Sequence, residues 1–479
     1  MRYTLSNTFD TPSSHLSLTI PSTLCVNYIS CQVASPDAIM RKVTNSRLEK
    51  DVLMIINCEN KTFNFTIDAP PSKSIYHREL IIRFLCGDHS NLEILANDGE
   101  DVRATKIILQ ILHNTILENE MGTKPENIGR RRTLYIPCNE SGSTLRFMIP
   151  VAAALLLGKG REHHGITELC FQTTGRLFDR PIKELADAMM PHNFNFAKHP
   201  ETRSIILSGE MTPGEYVIDG SVSSQYISGL LMALTLFNEP CNIKVVGNIT
   251  SAPYIQLTQD VLEKYGCTAT REGNVYNVKP GGYEAVASKG KLPEFAVEGD
   301  WSNGAFLLCL QRFSDIKVTN LNFNSEQGDR VITDFLKLAD EVDNGTKPKS
   351  GVTWGITNSP DIAPYMAMVA PFVFDDITFT GINRLRIKES DRVAAIREQL
   401  AAVGVRTDED EDTLTVYRYN PEEASTDDPI KLSSYNDHRM AMSAILLATI
   451  LKTKIEIDDV MCIRKSYPEF LDYIASYFS

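Results

Sequence analysis

The chain has 479 residues, of which 43% are hydrophobic and 23% charged, a balance that supports at least two full cores and two or three domains. A formal net charge of −13 argues against a nucleic-acid partner, which needs a broad basic face, and leaves any cation clusters for small anions. Ten cysteines without a C-x-x-C pair, and no Cys/His grouping at zinc spacing, predict a reduced, metal-free interior and a cytoplasmic protein.

Up to Cys31 there is one Arg, one Asp and many Ser and Thr, so residues 1–51 read as an N-terminal extension of unassigned role. Their acid-poor composition leaves organellar targeting open, although transit segments carry more Arg. The longest apolar runs, Met148 to Leu157 and Ala441 to Leu451, are too short to span a bilayer, so no membrane partner is expected.

Strand-like alternation occupies Val52 to Ile56 and Phe63 to Ile67, and Pro70-Pro71 stops it. Lys73-Ser74 and Arg78 then lead into a helical stretch over Glu79 to Leu85, closed by Gly87. Gly142-Ser143-Thr144 with Arg146 precedes the apolar Phe147 to Leu157, where Pro150 is expected in the helix's first turn. The densest cluster, Arg384 to Arg392, holds four cations and two carboxylates. It heads an amphipathic helix marked by Val393, Ile396, Leu400 and Val403, with Ser390 or Asp391 as N-cap. Asn436 to Met442, with His438 and Arg439, opens the apolar Ala444 to Leu451.

A helix start carries roughly half a positive charge, so a cation there is disfavoured by about 0.3–1 kcal/mol unless an anion reverses the sign. Four such starts, each beside Gly, Ser, Thr or Asn, point to a distributed anion site. No Walker loop, G-x-S-x-G or H-E-x-x-H is present, so nucleotide hydrolysis and zinc proteolysis lose support.

Asp101, Asp179, Asp260, Asp329 and Asp391 each read as opening a helix, at spacings of 78, 81, 69 and 62 residues, as a repeated strand-and-helix unit requires. Strand candidates Tyr216 to Ile218, Cys241 to Val246 and Ile377 to Thr380 lie between them, giving a mixed α/β class. Asp219 to Gln225 supplies neutral hydrogen-bonding groups before an apolar helix, and Ser251 to Tyr254 and Ser359 to Asp361 head others. Taken singly, each is explained equally well as a helix cap. Arg464-Lys465 adds a last cation pair before a short helix.

In this order, from about Thr62 onward, the segments resemble the 5-enolpyruvylshikimate-3-phosphate synthase family of enolpyruvyl transferases. The specific pieces are Pro71-Ser-Lys73-Ser with Arg78, Gly220 to Tyr226, Leu385 to Arg392, and Tyr435 to Met442. The resemblance implies a two-lobed inside-out α/β barrel built from six β-α-β-α-β-β units. Residues 52–71 plus 298–479 would form the first lobe and 72–297 the second. It implies transfer of the enolpyruvyl group of phosphoenolpyruvate to the 5-hydroxyl of shikimate 3-phosphate with release of phosphate, for which no cofactor is expected; a monomer is expected because the two lobes would bury each other's cleft faces.

By motif matching, Lys73, Gly142, Arg180, Gln225, Arg392, Arg439 and Lys465 would hold phosphoenolpyruvate. Lys73, Ser74, Arg78, Ser223, Ser224, Gln225, Ser251, Tyr254, Asp361 and Lys388 would hold shikimate 3-phosphate. Lys73, Asp361 and Glu389 would be catalytic, the carboxylates serving proton transfer. Two departures from the family pattern are Glu140, where an Asn is common, and Arg384, where some members have an Asn; neither contact is carried over. The sister transferase acting on UDP-N-acetylglucosamine would need a reactive loop Cys, and Cys462, the nearest candidate, is expected in a strand. A catalytically dead relative that binds shikimate 3-phosphate is the second alternative, opposed by the intact Lys73, Asp361, Glu389, Arg392 and Lys465.

Overall fold

The computed structural model describes residues 53–120, 132–160, 165–288, 290–425 and 427–478; the expected extension at 1–51 lies outside them. The elements run β1 (Met54–Asn57), β2 (Thr66–Asp68), α1 (Lys73–Leu85), α2 (Glu100–Glu120), β3 (Thr133–Asn139), α3 (Gly142–Leu157), β4 (Glu168–Thr173), α4 (Lys183–Met189), β5 (Phe194–His199) and β6 (Ser204–Gly209). They continue with β7 (Glu215–Asp219), α5 (Ser224–Leu234), β8 (Cys241–Val246), α6 (Ala252–Lys264), β9 (Ala269–Glu272), β10 (Val275–Val278), α7 (Gly282–Ala287), α8 (Trp301–Arg312), β11 (Lys317–Thr319) and α9 (Ile332–Asp343). The last are β12 (Val352–Gly355), α10 (Ala363–Val369), β13 (Asp376–Thr380), α11 (Arg392–Ala402), β14 (Thr407–Glu409), β15 (Thr413–Tyr417), β16 (Ile430–Leu432), α12 (His438–Leu451), β17 (Lys454–Ile457) and α13 (Phe470–Tyr473).

The sheets repeat one pattern. Strand orders β3-β4-β6-β5, β7-β8-β10-β9 and β12-β13-β15-β14 are the same permutation, each with a parallel first pair and antiparallel remainder. Each is therefore a β-α-β-α-β-β unit, the helices following its first and second strands. Parallel β16 and β17 begin a fourth copy around α12, which β1, from the start of the described chain, completes as the antiparallel partner.

Helices lie inside and sheets outside, as their sequences dictate. Every residue of α3 except Ser143 and Leu155 is buried, and α10 is buried throughout, because both are apolar on all sides. The strands alternate instead: β7 and β15 present every second residue to the interior and the rest outward. Two hydrophobic cores result. One joins Ile56 and Ile67 to residues from Trp301 to Phe478, and the other runs from Leu80 to Val286. The chain's two passages between them lie side by side: the Ser72 amide donates to the Glu298 carbonyl at 2.8 Å and the Asp300 amide to the Pro70 carbonyl at 2.7 Å.

Several expectations are corrected. Pro150 sits deep inside α3, not in a first turn, because the helix begins five residues before the apolar run, at Gly142. An interior proline costs about 3 kcal/mol locally, and packing overrides it. Gly229 of α5 presses on this turn so closely that a Cβ there would stand 2.6 Å from the Arg146 carbonyl. Asp260 lies within α6 and opens nothing, whereas Asp391 is a true N-cap, accepting from the amides of Val393 and Ala394 at 3.1 and 3.2 Å. The strand expected from Phe63 is confined to β2, whereas α1 does begin at Lys73, with a cation in its first turn as expected. Cys462 lies in a 3-10 turn, Met461–Lys465, rather than a strand. Burial pushes its thiol well above the usual range, which makes it a poor nucleophile.

Candidate active site

The first turns of α1, α3, α5, α8, α11 and α12, together with Ser251 at the head of α6, converge on one cavity. Their caps explain the convergence. Ser141, Ser223, Asp300, Asp391 and Asp437 each accept an amide of their own helix's first turn, so the N-termini are satisfied without the cations beside them. Those cations are left to face the cavity.

At its centre is Arg392, almost wholly buried. Its Nη1 donates to Asp361 Oδ1 at 2.8 Å, its Nη2 to Glu389 Oε2 at 3.0 Å, and its Nε to Asp437 Oδ2 at 2.8 Å. Asp361 also accepts from Lys388 Nζ at 3.1 Å, while Glu389 Oε1 lies 3.7 Å from Arg180 Nη1 and 3.8 Å from Lys465 Nζ. Burial opposes ionisation of both carboxyls. The surrounding cations outweigh it, Lys388, Arg392 and Arg439 for Asp361 and Arg180, Lys465 and Arg392 for Glu389, and hold both well below the carboxylate range.

Lys73 Nζ donates to Asp101 Oδ2 at 2.9 Å, and its backbone amide to Asp300 Oδ2 at 3.0 Å, which joins α1 to the opposite core. Burial disfavours the Asp101 charge, but Lys73 and Lys465 more than compensate and keep its carboxyl low. Gly142 matters for what it lacks: a Cβ would stand 2.7 Å from Arg180 Nη1 and 3.2 Å from Arg146 Nη1. Gln225 receives Arg146 Nη1 at 2.8 Å and donates to Ser143 Oγ at the same distance.

All the expected site residues except Lys465 line the cavity: Lys73, Ser74, Arg78, Gly142, Arg180, Ser223, Ser224, Gln225, Ser251, Tyr254, Asp361, Lys388, Glu389, Arg392 and Arg439. Lys465 stands behind Glu389, in an adjoining cavity, with Glu140 Oε2 3.8 Å from its Nζ. The Glu140 carboxylate thus pairs with a cation, over Gly175, whose missing side chain leaves it room: a Cβ there would fall 1.9 Å from Glu140 Oε1.

Sequence reasoning named Arg146 and His438 only within the helix-start clusters and Asp101 and Asp329 only as helix openers, and gave no role to Asp300 or Ser302. Arg146 carried a signal, being a lone cation at the start of a helix too apolar to be exposed. Asp329 accepts from Tyr254 Oη at 2.9 Å and from Ser302, while its Oδ1 is buried without a partner among the described residues. Burial and the nearby Asp361 charge push its carboxyl up to about 6.

The family model for EPSP synthase (3-phosphoshikimate 1-carboxyvinyltransferase) matches residues 59–474. A 3-phosphoshikimate 1-carboxyvinyltransferase of Clostridium acetobutylicum is 30% identical over 422 residues, covering 84% of this chain and 92% of its own length. One from Methanosphaerula palustris is 31% identical over 435 residues, covering 85% and 95%. In fold, a solved EPSP synthase from Acinetobacter baumannii superposes with a TM-score of 0.61 at 18% identity over 89% of this chain and 98% of that one. The enolpyruvyl transferase NikO from Streptomyces tendae does so with 0.57 at 12% identity, covering 89% and 98%. The architecture is thus the two-lobed inside-out α/β barrel of the enolpyruvyl transferases. With a matching profile over most of its length, the chain belongs to the EPSP synthase family, whose reaction moves the enolpyruvyl group of phosphoenolpyruvate onto shikimate 3-phosphate.

Proposed function

We propose that the two halves of this cavity divide the substrates, with Asp361 serving the acceptor and Glu389 the donor. The observation that carries this is the shared Arg392: it holds both carboxylates, yet Asp361 faces Lys388 while Glu389 faces Arg180 and Lys465. Asp361 takes the proton of the acceptor's 5-hydroxyl as its oxygen attacks C2 of phosphoenolpyruvate, and Glu389 passes a proton to the methylene carbon. Phosphate then leaves C2 and the new methyl group returns a proton, restoring the vinyl group. Arg180, Arg392, Arg439 and Lys465, with Gly142 and Gln225, hold phosphoenolpyruvate. Ser74, Arg78, Ser223, Ser224, Gln225, Ser251, Tyr254 and Lys388 hold shikimate 3-phosphate, and Lys73 touches both. No cofactor is required, because Arg and Lys neutralise the developing charge.

The reading extends to a cytoplasmic monomer, with lobes comprising 52–71 plus 298–479 and 72–297, that engages no nucleic acid or membrane. Among the described residues no helix is long and apolar enough to cross a bilayer.

Turnover in deuterium oxide tests the division of roles. The methyl stage scrambles its hydrogens, so deuterium enters the vinyl group of recovered phosphoenolpyruvate and of product. Glu389→Gln is expected to suppress that exchange. Rapid exchange in this variant would remove Glu389 from the donor side.

Two further results are expected. Burial pushes the Lys388 ammonium down to about 8 against the opposing pull of Asp361. A depressed lysine loses its charge as pH rises through that value, so the KM for shikimate 3-phosphate climbs above pH 8, and Lys388→Arg shifts the climb beyond pH 10. Glu140→Gln frees Lys465 from a competing carboxylate. The KM for phosphoenolpyruvate and the inhibition constant of glyphosate, expected to compete with it, should both fall about tenfold, roughly 1.4 kcal/mol, with the acceptor KM unchanged; steady-state inhibition patterns check this.

A further inference from the structure

We infer that Asp329 is a positioning residue for the acceptor: it holds the Tyr254 hydroxyl from the opposite core and through it fixes the acceptor wall of the cavity. This rests on the acceptor reading above, in which Tyr254 touches shikimate 3-phosphate, and gives a role to a carboxylate that does not itself line the cavity.

Asp329 lies in the turn Gly328–Val331, which leads directly into α9, whose Ile332 and Phe335 belong to one core. Tyr254 is in the first turn of α6, which packs into the other core through Ile255, Val261 and Leu262. The bond from Tyr254 Oη to Asp329 Oδ2, at 2.9 Å, therefore crosses between them. Gly328 lets the two come this close: a Cβ there would stand 3.1 Å from Pro253 Cβ and 3.2 Å from its Cγ. The same turn is anchored just before its start. Gln327 accepts from Ser72 Oγ at 2.8 Å and from the Trp301 amide at 3.2 Å, and donates to the Gly299 carbonyl at 2.9 Å, so it grips both passages of the chain between the cores. Ser302, in the first turn of α8, donates to the same Asp329 oxygen as Tyr254 and holds the carboxylate in place.

Stability alone does not account for this carboxylate. It is buried, no cation forms an ion pair with it among the described residues, and its Oδ1 is without a partner there. Taking such a group out of water is costly, and an apolar side chain in its place would escape that cost. What the carboxylate supplies is direction. Burial, with Asp329 and Asp361 close by, pushes the Tyr254 phenol well above its usual range, so it keeps its proton and donates it to Asp329. Tyr254 lines the cavity, and its hydroxyl is thus held in one orientation before a ligand arrives. A wall ordered in advance spares the acceptor the entropy of ordering it on binding.

The test is a double-mutant cycle in the steady-state kinetics of the full-length protein: wild type, Asp329→Ala, Tyr254→Phe and the two combined, with Asp329→Asn beside them and thermal unfolding of each. Either single substitution is expected to raise the KM for shikimate 3-phosphate about tenfold and leave that for phosphoenolpyruvate within about twofold. In the Tyr254→Phe background, Asp329→Ala should add less than about twofold. Asp329→Asn, which keeps an oxygen for the phenol, should stay within about threefold of wild type. Asp329→Leu, closer in shape, repeats the cycle if the smaller side chain unfolds the protein. Losses that multiply in the double variant, or an unchanged KM without the Asp329 carboxylate, would overturn the inference while leaving the acceptor reading intact. An unchanged KM in Tyr254→Phe would remove Tyr254 from the acceptor wall and overturn both.

Discussion

Lys73→Met is expected to lower kcat by about 10³-fold or more while shikimate 3-phosphate still binds. The residue begins α1, its amide fixed by Asp300 from the other core and its ammonium by Asp101. It is thereby held in the wall of the cavity, where the proposed function has it touch both substrates. Proton-transfer assistance is typically worth about 10²–10⁴ in rate, and loss of a fixed cation beside the reacting centre adds to it. The substitution also removes the direct partner of the buried Asp101, at a cost of about 1–3 kcal/mol. Adding Asp101→Asn should recover that stability without recovering turnover. Denaturant titration of single and double variants, beside single-turnover kinetics, separates the two effects. A single variant that turns over normally would displace Lys73 from the chemistry.

The second large effect concerns Arg392. Arg392→Leu leaves Asp361, Glu389 and Asp437 without the cation they share, and breaking a buried pair from one side costs about 3–5 kcal/mol. The loss depends on pH. Asp361 and Glu389 have depressed pKa values in the folded protein, so they contribute stability above their unfolded values, near 4, and that contribution fades as pH falls. The variant lacks most of it. The stability gap is therefore near its full size from pH 8 down to about pH 4 and narrows below that, as pH falls towards the depressed folded values. Urea titrations above and below about pH 4 measure it, and a gap independent of pH would mean that Arg392 acts by packing alone.

The depressed Glu389 carboxyl constrains the mechanism. Under the proposed division of roles, an ionised Glu389 becomes a proton donor only if phosphoenolpyruvate draws Arg180 and Lys465, two of the cations that hold its carboxyl low, onto its own anions. Asp361 needs no such change, since a base must begin ionised.

What the sequence made legible was local. Asp391 could be read as a cap and Val393, Ile396 and Leu400 as a helical stripe, so the cations at helix starts stood out before any fold was known. That pattern singled out the helix starts that carry Lys73, Gly142, Arg392 and Arg439, while Ser223, Ser251, Tyr254 and Asp361, which read singly as caps, came from the family resemblance. The misses came where distant contacts decide. Arg78 reads as a ligand-binding cation, and nothing local shows that residues about 150 to 180 positions away also take most of its donors. Pro150 reads as a helix boundary, yet burial against Gly229 carries the helix through it. Asp300 drew attention only as part of a crossover, although it caps α8 and fixes the Lys73 amide. Period and capping are properties of a few adjacent residues; the spending of hydrogen bonds is a property of the folded whole.

The most direct test of the central claim is phosphate release from phosphoenolpyruvate by the purified full-length protein, measured with no acceptor, with shikimate 3-phosphate and with UDP-N-acetylglucosamine. Release that requires shikimate 3-phosphate and is abolished in Lys73→Met is the predicted result. Release supported only by UDP-N-acetylglucosamine would contradict the acceptor assignment. No release with either acceptor, from folded protein that binds shikimate 3-phosphate, would mean that these cations hold a ligand without transforming it.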